Sequence, residues 1–465
     1  NLGIVQDAQG DKESAALSYV QAVQIDPHYI EAYNRLLHHC PDYAEAYLKR
    51  GIAFQVKGRL REAMTDFRKA IQIQPDYAEA YNNLGSLIEQ SNGNLQEAVD
   101  LYHQAILIQN DFIEPRINLG VIDLYQGRVD DAERCFRQVM EMNPENVDGH
   151  FSLSLAMLLK GDFENGWKEY EWRLKRDRWK NSCPYRFTIP RWDGMPFHGK
   201  RLFVYGEQGL GDVLQFSRYL PMVKALGGTV VFETSKLLFH IFQGFPGTDE
   251  VVERPCSSDV NKEFSVHIPL LSLPGIFKTT LSTIPADIPY LKADLQKAND
   301  WKQKLCDKEM KIGIVWAGNP DNKDDQYRSC RLTDFLPLLQ IPGVRCYGLQ
   351  KGEPSKEVMQ LPHGMDFINL GEELVDFSDT AGVIDNLDLI ISVDTAVVHL
   401  AGAMGKPVWN LRPAIPYWVW MMDREDTPWY PTMRIFRQKE LGNWHDVMKK
   451  AAREAALFVG KHHAD

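Results

Sequence analysis

Residues 387–409 read LDLIISVDTAVVHLAGAMGKPVW, and this stretch predicts one strand-helix-strand unit of a parallel α/β fold. The apolar run up to Val393 is typical of a buried strand, and Asp394 and Thr395 follow where a helix cap is expected. Gly405 predicts the end of that helix, and a second apolar run follows at once. A strand, a helix and another strand in this order indicate parallel strands joined by a crossover helix.

The same alternation extends over the chain from residue 199 to residue 465. Further apolar runs separated by helix-like segments are RLFVY, TVVFET, KIGIVWAG and RCYGLQ. The region is too long for one such sheet, and a second start at MKIGIVWAGNP predicts two Rossmann-like halves, 199–305 and 306–465. Because open α/β sheets bind ligands beyond the carboxyl ends of their strands, we expect the two sheets to face each other across a cleft.

The first third of the chain repeats itself with a period of about 34 residues. Small residues recur at Ala63, Ala98, Ala132 and Gly166, and aromatic residues at Phe67, Tyr102, Phe136 and Tyr170. This order resembles the tetratricopeptide repeat (TPR), a helix-turn-helix unit that stacks into a solenoid because no unit can bury its apolar face alone. We therefore predict an all-α TPR solenoid over residues 1–174 and an irregular, proline-containing linker over 175–198.

Two irregularities modify the predicted array. The chain begins at Asn1-Leu2-Gly3, which corresponds to the inside of a first helix, so we expect the array to be truncated at its N-terminus. The spacing from Ala15 to Ala63 is 48 residues, one period plus 14. That spacing predicts a partial repeat that lacks its second helix.

Such arrays commonly present a concave surface to a peptide or protein. Asn83 and Asn118 hold the same position in consecutive units and resemble the asparagine ladders of protein-glycosylating repeat enzymes, which grip peptide backbone. We predict them as partner-binding residues. A role as a spacer or dimerisation arm stays open.

Bulk properties exclude several classes of function. The net charge of −11 argues against nucleic-acid binding, which requires an excess of Lys and Arg. There is no apolar run of 18 residues and no recognisable signal peptide, so we expect a cytoplasmic protein without a membrane span. The seven cysteines are scattered without a C-x-x-C pair, which indicates neither a disulfide framework nor a zinc site.

The turn in residues 203–221, FVYGEQGLGDVLQFSRYLP, is the first candidate site. It lacks the G-K-[ST] of a Walker loop. With Glu233 at the end of the next strand it resembles a dinucleotide fingerprint, but Leu214 occupies the third small position, so an NAD-dependent oxidoreductase is only a weaker alternative. Asp212 stands at the start of the next helix, where it can act as a cap as well as a chemical group.

The helix after Thr395 is the better candidate for an anion. Backbone N–H groups around Ala396 and Val397, together with the positive helix end, suit a diphosphate. His399 lies about one turn further and can add a donor. On spacing alone, a packed helix histidine is the other interpretation.

Two polar segments carry further candidates. The first, WAGNPDNKDDQYRSCRLTDF at 316–335, contains Asn319, Lys323, Arg328 and Arg331. A loop cation there can neutralise a leaving group, or the loop can be simply solvated. The second, REDTPWYPTMRIFRQ at 424–438, contains Trp429, Tyr430, Arg434 and Arg437, for which we expect a structural role in holding the terminal helices.

Together, these motifs resemble those of bacterial repeat-containing glycosyltransferases. The order G-x-G-D-x-x-x-x-x-R-Y-L-P, W-A-G-N-P, R-S and S-V-D-T-A-x-x-H-L-A-G-A-x-G-x-P is similar to the catalytic part of the lipopolysaccharide heptosyltransferases, glycosyltransferase family 9. The resemblance implies a GT-B fold of two Rossmann-like domains, with the nucleotide sugar bound mainly by the C-terminal half. It also implies an inverting reaction without an obligatory metal or other cofactor.

Site residues follow from the resemblance by position. It implies that Asp212 is the general base toward the acceptor. The donor-binding residues that it implies are Arg328, Asp394, Thr395, Ala396, Val397 and His399. Further candidates for the substrate cleft are Gln208, Gly209, Gly211, Asn319, Lys323 and Gln350. Where the heptosyltransferases have Asp-Thr-Gly, this chain has Asp-Thr-Ala at 394–396, which leaves the donor sugar undetermined.

The sequence thus predicts a glycosyltransferase that moves a sugar from a nucleoside-diphosphate donor to a protein, peptide or glycan acceptor, with the repeats binding acceptor or partner. The alternative is a TPR scaffold whose glycosyltransferase-like domain no longer turns over. Because Asp212 lies at a helix N-terminus, we expect it to be ionised with lowered basicity.

Overall fold

The computed structural model describes residues 1–91, 94–177, 183–257, 259–305, 309–322 and 325–462. The chain divides into two compact units, Asn1–Leu153 and Ser154–Asp465. The division falls inside one helix, Val147–Lys160, and therefore earlier than the predicted end of the repeats at residue 174.

The first unit is entirely helical in its described residues, as the repeat pattern predicts. Its helices are α1 (Leu2–Ala8), α2 (Lys12–Ile25), α3 (Ile30–His39), α4 (Ala44–Val56), α5 (Leu60–Ile73), α6 (Ala78–Gln90), α7 (Leu95–Ile108), α8 (Glu114–Tyr125), α9 (Val129–Met142) and the start of α10 (Val147–Lys160). The repeated alanines and aromatic residues of α5, α7 and α9 are all fully buried. The periodicity therefore marks the core of the array.

Glycines of the first helices let the paired helices approach closely. A Cβ on Gly51 of α4 would lie 2.5 Å from Cε1 of Phe67 in α5. A Cβ on Gly120 of α8 would lie equally close to Phe136 of α9. The aromatic ring of each second helix thus occupies the space that a side chain on the first helix would need.

Substituting Gly51 with alanine should destabilise the array by about 1–3 kcal/mol, because the new methyl group overpacks the core. The midpoint of urea-induced unfolding measures the loss. Gly460→Ala is the matched control, because nothing lies within 4 Å of the new Cβ. This control should be neutral or stabilising by about 0.5–1 kcal/mol. Equal midpoints for Gly51→Ala and the unmodified chain would contradict the packing account.

The partial repeat is present as predicted. Residues 1–91 are all described, and in this range α3 packs between α2 and α4 without a second helix of its own. Its apolar residues Tyr33, Leu36 and Leu37 are buried in a cluster with Ala15 and Tyr19 of α2.

The second unit begins with the last repeat and continues into a four-stranded parallel sheet. Helix α11 (Phe163–Tyr170) runs into a 3-10 helix, Glu171–Lys175. The strands are β1 (Arg201–Tyr205), β2 (Thr229–Thr234), β3 (Glu250–Glu253) and β4 (Val266–Pro269), in the order β3-β2-β1-β4. The helices are α12 (Leu210–Phe216), α13 (Leu220–Ala225), α14 (Lys236–Phe239), α15 (Val260–Glu263) and α16 (Leu273–Ile276), with 3-10 helices Ser217–Tyr219, His240–Phe242 and Leu270–Ser272.

A six-stranded parallel sheet follows. Its strands are β5 (Met310–Val315), β6 (Val344–Gly348), β7 (Phe367–Asn369), β8 (Leu389–Val393), β9 (Val408–Arg412) and β10 (Met433–Arg437), in the order β10-β9-β8-β5-β6-β7. The helices are α17 (Leu295–Lys304), α18 (Asp325–Arg328), α19 (Leu336–Leu339), α20 (Phe377–Asp385), α21 (Ala396–Ala403) and α22 (Trp444–His462), with 3-10 helices Leu332–Phe335 and Glu353–Gln360. Every residue of β8 and β9 is buried, as expected for central strands of a covered sheet.

The two sheets confirm the predicted α/β architecture of two Rossmann-like halves. In each, the chain reverses its direction of winding at the centre, between β1 and β4 in the first sheet and between β5 and β8 in the second. Such reversal points leave a crevice at the carboxyl ends of the strands. The segments after β1, β4, β5 and β8 are therefore those positioned to bind a ligand.

Helix α17 lies at the boundary between the two predicted halves. Helix α17 belongs by sequence to the first predicted half but packs on α20 of the second, where Trp301 lies against Gly382.

In the part of the chain that the structure describes, no helix is long and apolar enough to cross a membrane.

Candidate functional site

The two motifs predicted to carry the chemistry lie against each other. Helices α12 and α21 meet near their N-termini, at the ends of β1 and β8. A Cβ on Gly211 would lie 2.8 Å from Cδ2 of His399 and 3.6 Å from Cα of Ala396. Glycine at 211 is therefore required for this close approach between the two halves.

Asp212 is partly buried in the first turn of α12. Its carboxylate accepts a hydrogen bond from the N–H of Gly209 at 3.0 Å. Burial raises the pKa of Asp212 to about 7; the charges of Glu207 and Asp394 act in the same direction, while the Gly209 N–H and Arg328 act against it. The expectation of a carboxylate with lowered basicity is therefore wrong, because desolvation outweighs the helix end.

Asp394 interacts with two side chains, of Trp420 and Arg412, that the sequence motifs do not include. One carboxylate oxygen accepts a hydrogen bond from Nε1 of Trp420 at 3.0 Å, and the other forms an ion pair with Nη1 of Arg412. The Arg412 side chain is only 4% exposed. Arg412 ends β9, the strand beside β8. Its position at the carboxyl end of a predicted strand is the sequence signal that could have identified it as a site residue.

The start of α21 has the geometry of a capped helix end. Thr395 is the N-cap, and its hydroxyl oxygen accepts a hydrogen bond from the N–H of Val397 at 3.3 Å. Ala396 is the first helical residue and is partly exposed, whereas Val397 is buried. The first turn of a helix carries N–H groups that the helix itself does not use, so it is suited to an anion.

His399 is a buried histidine at the contact with α12. Its Nδ1 lies 3.0 Å from the hydroxyl of Tyr430, and its ring lies 5.0 Å from that of Trp420. Burial lowers the pKa of His399 to about 4, so the imidazole is neutral near pH 7. The packed histidine and the donor interpretations are compatible, because the Nε2 edge faces Gly211.

Arg328 and Arg437 each lie within electrostatic reach of Arg412, the ion-pair partner of Asp394. Burial lowers the pKa of Arg412, with Arg328 acting in the same direction and Asp394 against it. Burial lowers the pKa of Arg437 to about 10, and Arg412 adds to the effect. Nε of Arg412 and Nη1 of Arg437 are buried and have no hydrogen-bond partner among the described residues. Concentrated positive charge with unused donors is typical of a site for a phosphate group.

The loop after β5 supplies Arg328. Its Nε lies 3.1 Å from Oδ1 of Asp325, and a Cβ on Gly318 would overlap both side chains. Asn319 is exposed, with Oδ1 accepting from the N–H of Asp321 at 3.1 Å. Lys323, predicted for the same loop, lies outside the described residues.

Gln350 is hydrogen-bonded to the backbone at the start of this loop. It is 3% exposed, and its Oε1 accepts hydrogen bonds from the N–H groups of Trp316 at 3.1 Å and Ala317 at 2.9 Å. Its amide is thus held at the end of β5, where it orients the start of the loop.

The predicted structural segment at residues 424–438 contributes buried aromatic rings and surface ion pairs. Trp429 and Tyr430 are fully buried. Arg434 pairs with Glu425 and Glu454, which ties β10 to the terminal helix α22 as expected for a structural residue.

The remaining predicted residues lie elsewhere. Asn118 donates from Nδ2 to Oδ1 of Asn82 at 3.1 Å, and Asn83 is partly buried beside it on α6. Glu233, the ribose acid of the oxidoreductase alternative, is fully buried at the end of β2 and accepts from the N–H of Cys256 at 3.2 Å. Leu214 is fully buried as well.

Two parts of the chain match models of known protein families. Residues 56–91, 78–110 and 117–171 match family models of TPR repeats. Residues 346–411 match the model of glycosyltransferase family 9 (heptosyltransferase), a range that contains β8, α21 and β9 up to Leu411. The chain thus combines TPR repeats with a domain of glycosyltransferase family 9.

Individual proteins resemble the chain over large parts of its length. It is 27% identical over 331 residues to Protein FlbA of Caulobacter vibrioides, an alignment that covers 65% of this chain and 54% of FlbA. The chain therefore spans about half the length of that curated relative.

Two solved structures are also similar to parts of the chain. The glycosyl transferase family 9 protein from Veillonella parvula is 12% identical, with a TM-score of 0.42, over 57% of this chain and 99% of its own. The MamA protein is 22% identical, with a TM-score of 0.27, over 39% of this chain and 98% of its own.

Proposed function

We propose that the second unit transfers a sugar from a nucleoside-diphosphate donor to a hydroxyl or side chain of an acceptor. The observation that carries this proposal is a carboxylate with a pKa near neutrality, Asp212, near the buried Arg412 and the partly buried Arg328 and Arg437. Sugar transfer needs both groups, because a proton leaves the acceptor while negative charge develops on the departing diphosphate.

The diphosphate binds at the start of α21. The helix N-terminus contributes N–H groups near Ala396, and Arg328, Arg412 and Arg437 contribute positive charge. Asp394 holds Arg412 in place, so its own negative charge is compensated. These groups are preorganised and supply the charge opposite the diphosphate, so the proposed reaction does not depend on a metal ion.

Asp212 acts on the acceptor. Its carboxylate removes the proton of the attacking group, which adds to the anomeric carbon as the bond to the diphosphate breaks. Attack from the face opposite the leaving group inverts the configuration at that carbon. Gly209 gives the acceptor access to the carboxylate, since it is exposed and carries no side chain.

The repeats of the first unit bind the acceptor or another protein. The surfaces of their first helices, including the partly buried Asn83 and Asn118, supply hydrogen-bonding groups for peptide backbone. Substitution of these asparagines then weakens acceptor binding without changing donor hydrolysis.

A thermal-shift screen with UDP-, GDP- and ADP-sugars, followed by an assay of donor cleavage, tests the proposal. Binding of a donor raises the melting temperature by linkage. A donor that shifts the melting temperature and is cleaved supports the enzyme. A donor that binds without any cleavage or transfer supports the inactive scaffold instead, and no shift with any nucleotide contradicts both donor-binding proposals.

The rate of transfer should increase as the pH rises through about 7. Only the ionised form of Asp212 accepts a proton, and its pKa is raised to about 7, so acid inactivates the base at an unusually high pH for an aspartate. Values of kcat/KM, obtained from initial rates between about pH 5 and pH 9, test this expectation. A rate that is constant or falls over the range contradicts the role of Asp212.

A further inference from the structure

The segment Phe163–Lys175, formed by α11 and the 3-10 helix after it, is built into the catalytic unit. Trp167 donates from Nε1 to the carbonyl oxygen of Thr279 at 2.9 Å and packs edge-on against Trp418 at 5.4 Å. Thr279 follows α16 of the first half, whereas Trp418 follows β9 of the second. The last repeat segment, as we call Phe163–Lys175, therefore contacts both halves of the sugar-transfer fold.

One buried ion pair fastens this segment to the turn after β1. Arg173 donates from Nη2 to Oε1 of Glu207 at 2.7 Å and to Oγ of Ser272 at 2.8 Å. The side chains of Arg173 and Glu207 are 3% and 2% exposed. Burial acts against the charged guanidinium, but the carboxylates of Glu207 and Glu171 outweigh it and raise the pKa of Arg173. A buried pair of this kind is intolerant of losing one partner.

A hydrogen bond fastens the next residue of the turn. Gln208 donates from Nε2 to the hydroxyl of Tyr170 at 2.9 Å. The following residue, Gly209, donates its N–H to Asp212. Two neighbouring residues of the turn are thus held by the last repeat segment, and the third holds the proposed base.

Charged and titratable groups from several elements influence Asp212. Glu207 belongs to the turn, Asp394 follows β8, and Arg328 ends α18. The charge of Asp212 also raises the pKa values of Tyr170, from the last repeat segment, and Tyr417, which follows β9, although burial is the main cause for both. His399 lies against the turn at Gly211 and is neutral near pH 7.

We propose that Tyr170 and Arg173 are positioning residues for sugar transfer: they hold the turn at residues 206–209, and through it Asp212, in the geometry that the reaction needs. The proposal rests on the proposed function. It makes the last helix of the repeat array a working part of the catalytic unit, in addition to any role of the array in binding partners.

Titration of Asp212 by NMR, with aspartate labelled at the side-chain carboxyl carbon, tests this without requiring activity. Asp212→Asn assigns the signal. Tyr170→Phe removes the hydrogen bond to Gln208 and should let water reach the turn, and Glu207→Gln removes a nearby negative charge. Each should lower the pKa of Asp212 by about 0.5–1 unit. Tyr102→Phe is the matched control, because it likewise removes a buried tyrosine hydroxyl with a hydrogen-bond partner, here Glu89 in the repeats at 3.0 Å.

Kinetics then separate a positioning role from a general loss of structure. Arg173→Met should reduce kcat at least tenfold with little change in nucleotide affinity, and Arg173→Lys should restore part of the rate because the charge remains. Glu207→Gln shows the size of a direct charge effect on Asp212. An Asp212 titration that is unchanged in Tyr170→Phe overturns the inference, whether or not a donor is known. If the unmodified chain binds no nucleotide and cleaves no donor while these titrations still shift, the proposed function fails and the positioning contact stands.

Discussion

We expect replacement of Asp212 with asparagine to lower kcat for sugar transfer by about 10²–10⁴-fold, the usual contribution of a general base. Asparagine keeps the shape of the side chain and an oxygen that can accept the Gly209 N–H, but it cannot take up the acceptor's proton. The affinity for the nucleoside diphosphate should remain, since the arginines and the start of α21 are unchanged. Steady-state kinetics and calorimetric titration of the nucleotide measure the two quantities separately.

Stability provides an internal check on this variant. The folded-state pKa of Asp212 is raised above its ordinary value, so the folded state favours the protonated form, and its stability contribution is lost as pH rises through about 7. At pH 8 the asparagine variant should therefore melt no lower than the unmodified chain. Asp294→Asn is the matched control: Asp294 caps α17, accepts the N–H of Lys297 at 2.9 Å and should leave transfer unchanged. Full activity in Asp212→Asn would show that another group is the base.

Replacing Arg412 with methionine should affect both stability and donor binding. The carboxylate of Asp394 would keep its hydrogen bond from Trp420 but lose its ion-pair partner in a largely buried place. Breaking such a pair typically costs about 3–5 kcal/mol. Loss of charged hydrogen bonds to the diphosphate, worth about 1.5–3 kcal/mol each, should lower nucleotide affinity by at least about tenfold.

A double variant separates these two effects. Arg412→Met combined with Asp394→Asn removes the uncompensated charge, so it should recover part of the stability without recovering nucleotide affinity. Arg434→Met is the control for the loss of an arginine from a neighbouring strand, because its pairs are more exposed. It should cost about 0–1 kcal/mol. Nucleotide affinity that is unchanged in Arg412→Met contradicts the proposed diphosphate site.

The fold could be predicted because its signals are local. A small residue and an aromatic residue recur once per repeat, as at Ala63 and Phe67, and each pair is buried by the same helix contact. The strand, cap and helix around Thr395 likewise lie within one short stretch. Even the partial repeat was visible, because its spacing departs from the period by the length of one helix and its loop.

The site could be predicted only where its residues belong to such stretches. Arg412 and Trp420 reach Asp394 because β9 lies beside β8, a neighbourhood set by topology. The contact of Tyr170 with Gln208 joins a repeat helix to a distant turn, and no local pattern encodes it. The pKa of Asp212 depends on burial by several elements at once, so the helix terminus alone gave the wrong direction.

Release of nucleoside diphosphate from a panel of UDP-, GDP- and ADP-sugars, measured by chromatography, tests whether the second unit is a sugar transferase. The unmodified chain, Asp212→Asn and Arg412→Met are compared at pH 8 with the same donors. We expect at least one donor to be cleaved by the unmodified chain, with the rate lost in Asp212→Asn and the donor affinity lost in Arg412→Met. Cleavage of no donor by the unmodified chain, or equal cleavage by all three proteins, would contradict a sugar transferase that uses this site.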